Sequence, residues 1–146
     1  MKLVRDFEQF IELLNKNEVS YLVVGGYAFA IYAFPRFTND IDILILIEDT
    51  NADKLIKVLS EFGFNSLEFK KEDFLSSNKI IQLGNPLFRI DILTSIDGVD
   101  FNEAWDRKIV AKYGDLNIYF ISKEDLIKNK TASGRKKDLD DLDHLM

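Results

Sequence analysis

Apolar residues at Val4, Phe7, Phe10, Ile11, Leu13 and Leu14 recur near the helical period and predict a helix over residues 4–17. The short apolar run Tyr21–Val24 predicts a strand, which Gly25 and Gly26 end. Tyr27–Phe34 reads as a short helix stopped by Pro35. Asp40–Ile47 is a strand of another kind: after Asp42 come five apolar residues in a row, as in a strand covered on both faces. Asp53–Phe62 predicts a helix ending at Gly63, and strands are expected at Phe64–Phe69, Lys79–Leu83 and Leu87–Leu93. Phe101–Lys108 predicts a further short helix and Leu116–Ile121 a further strand. Ser122 reads as an N-cap, with Asp125 at the third helical position, for a helix to about Thr131. Arg135–Met146 predicts a last amphipathic helix with Leu139, Leu142 and Leu145 on one face. Helices and strands alternate, so the expected class is α/β, or α+β, with a mixed sheet and flanking helices. With no repeat, linker or low-complexity stretch, residues 1–146 are expected to form a single domain.

Composition narrows the chemistry. An apolar fraction of 47% and a charged fraction of 30% describe a globular chain. The chain has no cysteine, which excludes disulfides, thiolate zinc sites and a cysteine nucleophile and leads to an expected cytoplasmic location. No apolar run approaches the roughly 18 residues of a membrane span, and the charged N-terminus carries no signal-peptide core. The single histidine, His144, reads as a surface or packing residue and leaves little basis for a Ser-His-Asp triad. Trp105 and the many phenylalanines read as core or partner-facing. A net charge of −6 argues against broad, nonspecific nucleic-acid binding.

The chemistry concentrates in "VVGGYAFAIYAFPRFTNDIDILI". A Gly pair between strand and helix is either a tight turn or a place where helix N-terminal amides face an anion. Asp40 and Asp42, two apart in a strand, point to one face about 6.6 Å from each other. Two carboxylates in one space repel, and one protonates unless a cation intervenes. Such hard oxygen ligands suit Mg²⁺; the plainer reading is two solvated or capping acids. A short helix followed by the extended segment 35–39 can return the chain to the sheet edge it left. Strand 40–47 then runs antiparallel to strand 21–24, with the glycines beside the acids. "LFRIDIL" adds Asp91, another aspartate inside an apolar strand. Three strand carboxylates could hold two metals; alternatively Asp91 is a buried ion pair with Arg89 or Arg36. Residues 123–137 carry six basic and two acidic residues, a local excess of +4 that could receive phosphates or form a solvated face. There is no P-loop and no G-x-G-x-x-G, and the dyad stands at the start of its strand, unlike a phosphatase D-x-D.

These residues resemble the signature of the nucleotidyltransferase superfamily that includes DNA polymerase beta: an apolar-Gly-Gly turn, about a dozen residues, Asp-apolar-Asp, and a later strand aspartate. Within it, the chain is similar to minimal and AbiEii-toxin-like nucleotidyltransferases, whose later segment matches "KEDLIKNKTASGRKKDLDDLDHL". The resemblance covers most of residues 18–146. It implies a nucleotidyltransferase fold and transfer of a nucleoside monophosphate from an NTP such as ATP to a hydroxyl acceptor, with two Mg²⁺ ions and release of pyrophosphate. Under it, Asp40, Asp42, Asp91 and Lys130 would be catalytic, and the three aspartates would bind the metal. Gly25, Gly26, Arg36, Thr38 and Lys130 would meet the nucleotide. Lys130 would contact phosphate, and either Asp138 or Asp141 would match the last acid of the motif. The acceptor stays open among tRNA, a protein and a small molecule. An antitoxin partner or a homodimer is expected to complete the cleft. Two other readings stand beside this one. One is a nucleotide-binding or interaction module of a toxin–antitoxin pair without catalysis. The other is a metal-dependent phosphohydrolase, weakened by the absence of its usual histidines.

Overall fold

The computed structural model describes residues 3–64, 69–85 and 87–146. Among them the first helix, α1, spans Arg5–Lys16, one residue inside the expected range at each end, and buries Phe7, Phe10, Ile11 and Leu14. β1 (Tyr21–Val24) runs directly into α2 (Gly25–Tyr32), so the two glycines form the first turn of the helix and do not precede it. β2 covers Asp40–Ile45. It ends short of the expected Ile47 because the Asn51 side chain takes over: its amide donates to the carbonyls of Leu46 (2.9 Å) and Ser20 (3.2 Å). The Asn51 side-chain oxygen accepts from the Ser20 amide at 2.8 Å. Asn51 is buried by this role, and α3 accordingly starts early, spanning Asp49–Phe62, with Gly63 in the left-handed region at its end.

A 3₁₀ turn at Lys71–Phe74 precedes β3 (Ile80–Asn85) and β4 (Phe88–Leu93). Of the strand expected at Phe64–Phe69, residues 65–68 lie outside the described residues. α4 spans Phe101–Asp106. A hairpin follows, β5 (Ile109–Tyr113) and β6 (Leu116–Phe120), joined at Gly114 and Asp115. Sequence patterning finds β6 and misses β5. β5 alternates half-buried Ile109, Ala111 and Tyr113 with exposed Val110 and Lys112, the weak signal of a strand at a sheet edge. α5 (Lys123–Ser133) opens as expected, with the Asp125 amide donating to the Ser122 hydroxyl at 3.1 Å. α6 spans Lys136–Leu145.

The six strands form one mixed sheet in the order β3-β4-β2-β1-β6-β5. β1 and β2 are antiparallel, with Val24 opposite Asp42, as the return of the chain through residues 35–39 requires. β2 and β4 are parallel, with Asp42 opposite Asp91. In β2 the even positions Asp40 and Asp42 face a cavity, while Ile41, Ile43 and Ile45 on the other side are buried. The period-two pattern therefore uses one strand for both site and core. Helix α6 departs from expectation. Its buried positions are Asp138, Asp141 and Leu145, whereas Leu139 is exposed and Leu142 half-buried. Among the described residues no helix is long and apolar enough to cross a membrane.

Ile43 is fully buried at the centre of β2. Ile43→Ala should remove about 2–5 kcal/mol of stability. Urea denaturation should show a lower midpoint at unchanged slope.

Candidate active site

The site starts with a backbone constraint. Gly25 has φ +65°, in the left-handed region where a side chain is strained, and a Cβ there would run into the carboxylate of Asp42. Glycine is therefore what lets α2 begin directly against Asp42. Gly26 is less constrained, since a Cβ would make ordinary contact with Thr38 at 3.5 Å. No side chain caps α2 at Val24, so the amides of its first turn are not engaged by a capping group.

The three expected acids come together. Asp42 faces Asp91 across the parallel pair, and Asp40 faces Arg89 in the same register. Arg89 links two of the three. Its Nη2 donates to Asp40 at 3.0 Å, and its Nε and Nη2 donate to the two oxygens of Asp91 at 2.8 and 3.2 Å. The ion pair proposed for Asp91 as the plain alternative is thus present, with Arg89 and not Arg36 as partner. Asp42 receives none of these bonds. Burial, then the charges of Asp91 and Asp40, push its carboxyl up to about 6, against partial relief from Arg89. Sequence reasoning had Arg89 only as a partner of Asp91. Its position two residues before Asp91 in an alternating strand was the signal that it shares the acids' face.

A second charged cluster stands across the cavity. Lys130 is buried and donates to Asp138 (3.2 Å) and Asp141 (2.9 Å). Arg36 forks onto Asp141 at 2.8 and 3.0 Å and lies 4.1 Å from the centre of the Phe29 ring. Asp138 also accepts from the Ser133 hydroxyl and from Arg135 Nε. Burial opposes ionisation of both acids. On Asp138 the hydrogen bonds of Ser133, Lys130 and Arg135 outweigh it, and on Asp141 those of Arg36 and Lys130, holding both carboxyls below the usual range. Asp138 and Asp141, the two candidates for the last acid of the motif, both accept from Lys130. Thr38 is not among the residues lining the cavity. Its hydroxyl donates to the Asp40 carbonyl at 3.1 Å and accepts from the Asp40 amide at 3.4 Å, so it shapes the entry to β2.

Between the two clusters lies a cavity of about 620 Å³, within the usual range for small-ligand sites. Gly25, Gly26, Asp40, Asp42 and Asp91 line it, and so do Arg36, Lys79, Lys130, Arg135 and Lys137. The donor set on the acidic side is hard oxygen, which suits Mg²⁺. As the side chains stand, no three acids or histidines among the described residues are grouped to hold a metal ion. Arg89 supplies the positive charge there instead.

The family model for a nucleotidyltransferase of unknown function (DUF6036) matches residues 1–145. A candidate nucleotidyltransferase from Thermotoga maritima, TM1012, shares the fold with a TM-score of 0.63 at 22% identity, over 95% of this chain and 89% of that one. The lincosamide antibiotic adenylyltransferase LnuA, solved with lincomycin bound, aligns with a TM-score of 0.57 at 18% identity, over 98% of this chain and 96% of its own. No curated protein matches the sequence.

Asp42 gives a signed pH dependence. Its carboxyl is raised in the folded state, so the unfolded chain releases that proton first, and its ionisation opposes folding as pH rises from about 4 to about 6. In a chelator, Asp42→Asn should therefore be more stable than wild type at pH 7, by up to about 3 kcal/mol. The advantage should vanish near pH 4. Denaturation curves of both proteins across this range check it.

Proposed function

This chain belongs to the nucleotidyltransferase family DUF6036, and on that premise we propose that it transfers a nucleoside monophosphate from an NTP, ATP being the first candidate, to a hydroxyl acceptor in a Mg²⁺-dependent reaction that releases pyrophosphate. One observation carries the reading: three strand carboxylates and the uncapped start of a glycine helix share a cavity with a group of cations. A triphosphate with its counter-ions needs both signs of charge in one place.

Each residue has a task in this reading. The first-turn amides at Gly25 and Gly26 receive phosphate oxygens, and the absence of a side chain at Gly25 lets phosphate and Asp42 share the space. Arg36, Lys79, Arg135 and Lys137 neutralise the triphosphate from the cavity's basic residues. Lys130 lines the same cavity, and contact between it and phosphate would come in exchange for one of its carboxylate partners. Asp40, Asp42 and Asp91 would hold Mg²⁺, which when bound supplies Lewis acidity to the phosphoryl and attacking oxygens. Asp91, which lines the cavity opposite Asp42, would take the acceptor's proton in this reading once its bonds to Arg89 are released. Atoms balance: the acceptor oxygen bonds to the α-phosphorus, the bond from that phosphorus to the bridging oxygen breaks, and pyrophosphate leaves.

A second reading draws on Arg89. Its ion pairs already compensate Asp40 and Asp91, as they would in a nucleotide-binding or interaction module of a toxin–antitoxin pair that does no chemistry. The acceptors to try are total tRNA, a protein extract that would also contain an antitoxin partner, and small hydroxyl compounds, lincomycin among them.

Incubation with each α-labelled NTP, Mg²⁺ and these acceptors should move label in wild type and not in Asp42→Asn. Label transfer that survives in Asp42→Asn overturns the catalytic assignment. Binding of Mg²⁺-NTP at 100 times Kd should add about 2.7 kcal/mol of stability. Stabilisation without transfer to any acceptor favours the module.

A further inference from the structure

Arg89 bonds to two of the three strand acids, Asp40 and Asp91. It uses two nitrogens on Asp91 and one of these again on Asp40, all at 2.8–3.2 Å. Both oxygens of Asp91 are engaged by it. Its backbone is fixed, because its amide donates to the Asn39 carbonyl at 2.9 Å and it pairs with Asp40 on one side and Gly84 on the other. Its side chain is not fixed in the same way, being 33% exposed. Gly84, its cross-strand neighbour, has no side chain to oppose rotation of the guanidinium toward solvent.

We infer that Arg89 is a resident monovalent counter-ion for Asp40 and Asp91, one that a divalent cation must displace in order to bind. This rests on the proposal that these acids form a metal site. Three observations point the same way. The acids are adjacent by register, so their mutual repulsion is present whenever the sheet is formed. Arg89 supplies one positive charge to that group through charge-assisted bonds. And both oxygens of Asp91 and one of Asp40 are taken up by those bonds. Asp40 and Asp91 line the cavity, so a cation entering there meets carboxylates already engaged by Arg89. The exchange is of one cation for another: the guanidinium keeps its proton, gives up its three bonds and turns to water. Arg89 is thus a positioning residue. It holds the acids in register before loading and sets the threshold concentration of metal at which loading occurs.

The test is Mn²⁺ binding without nucleotide, followed by the loss of the free-ion signal in electron paramagnetic resonance, for wild type, Arg89→Gln, Arg89→Lys and Asp42→Asn. Wild type should bind measurably and Asp42→Asn should not. Arg89→Gln, which removes the competing charge, should bind about tenfold tighter. Arg89→Lys, which keeps the charge but loses the fork, should fall between them. In a chelator Arg89→Gln should melt below wild type, and saturating Mn²⁺ should close that gap. Equal or weaker Mn²⁺ binding in folded Arg89→Gln and Arg89→Lys overturns the inference while leaving the metal site intact. Failure of wild type to show a site that Asp42→Asn abolishes overturns both.

Discussion

Repulsion among Asp40, Asp42 and Asp91 is the constraint to which the rest of the site answers. The pairing of β2 with β4 puts Asp42 and Asp91 opposite each other, and the alternation of β2 puts Asp40 on the same face. Negative charge in a half-buried position is costly unless a cation is near. The fold meets that cost in part with one guanidinium and leaves Asp42 outside its hydrogen bonds. The result is a site with unspent negative charge facing a cavity.

Across that cavity the same logic runs with the signs exchanged. Lys130, Arg36 and Arg135 outnumber Asp138 and Asp141, so positive charge is left over on that side. Under the proposed function, a metal–triphosphate complex would bring the complement of each cluster: a cation for the acids, anions for the bases. The two clusters also tie distant parts of the chain together. Arg36 comes from the segment before β2 and Asp141 from α6, 105 positions later. A buried network of this kind costs little only while every member is paired.

Much of this was legible in the sequence because it depended on short-range rules. A strand, a Gly pair, a short helix and a return segment force the antiparallel arrangement of β1 and β2, and alternation puts Asp40 and Asp42 on one face. Ser122 and Asp125 announced the start of α5. What escaped depended on partners far away in the chain. The buried face of α6 was assigned to Leu139, Leu142 and Leu145, since apolar period is the default signal for burial. Leu145 is buried as expected, but ion pairing to Lys130 and Arg36 buries Asp138 and Asp141, while Leu139 is exposed. Thr38, a nucleotide contact under the family resemblance, bonds through its hydroxyl to the backbone of Asp40, a partner that no sequence pattern announces. β5 was missed because an edge strand lacks the continuous apolar run that marks β2. The double role of Arg89 depends on the register of β4 against β2, which no local pattern specifies.

That register has a consequence for how the protein is made. Asp42 and Asp91 are 49 positions apart in sequence, and the parallel pairing between their strands cannot come from a hairpin. Pairings of such separation carry a loop-closure cost that slows folding. A slip of one residue in β4 would carry Asp91 to the opposite face and bring an isoleucine beside Asp42. The carboxylate cluster therefore exists only in a chain whose β4 pairs with β2 in the right register, and a ligand that binds the cavity would stabilise those molecules over misregistered ones.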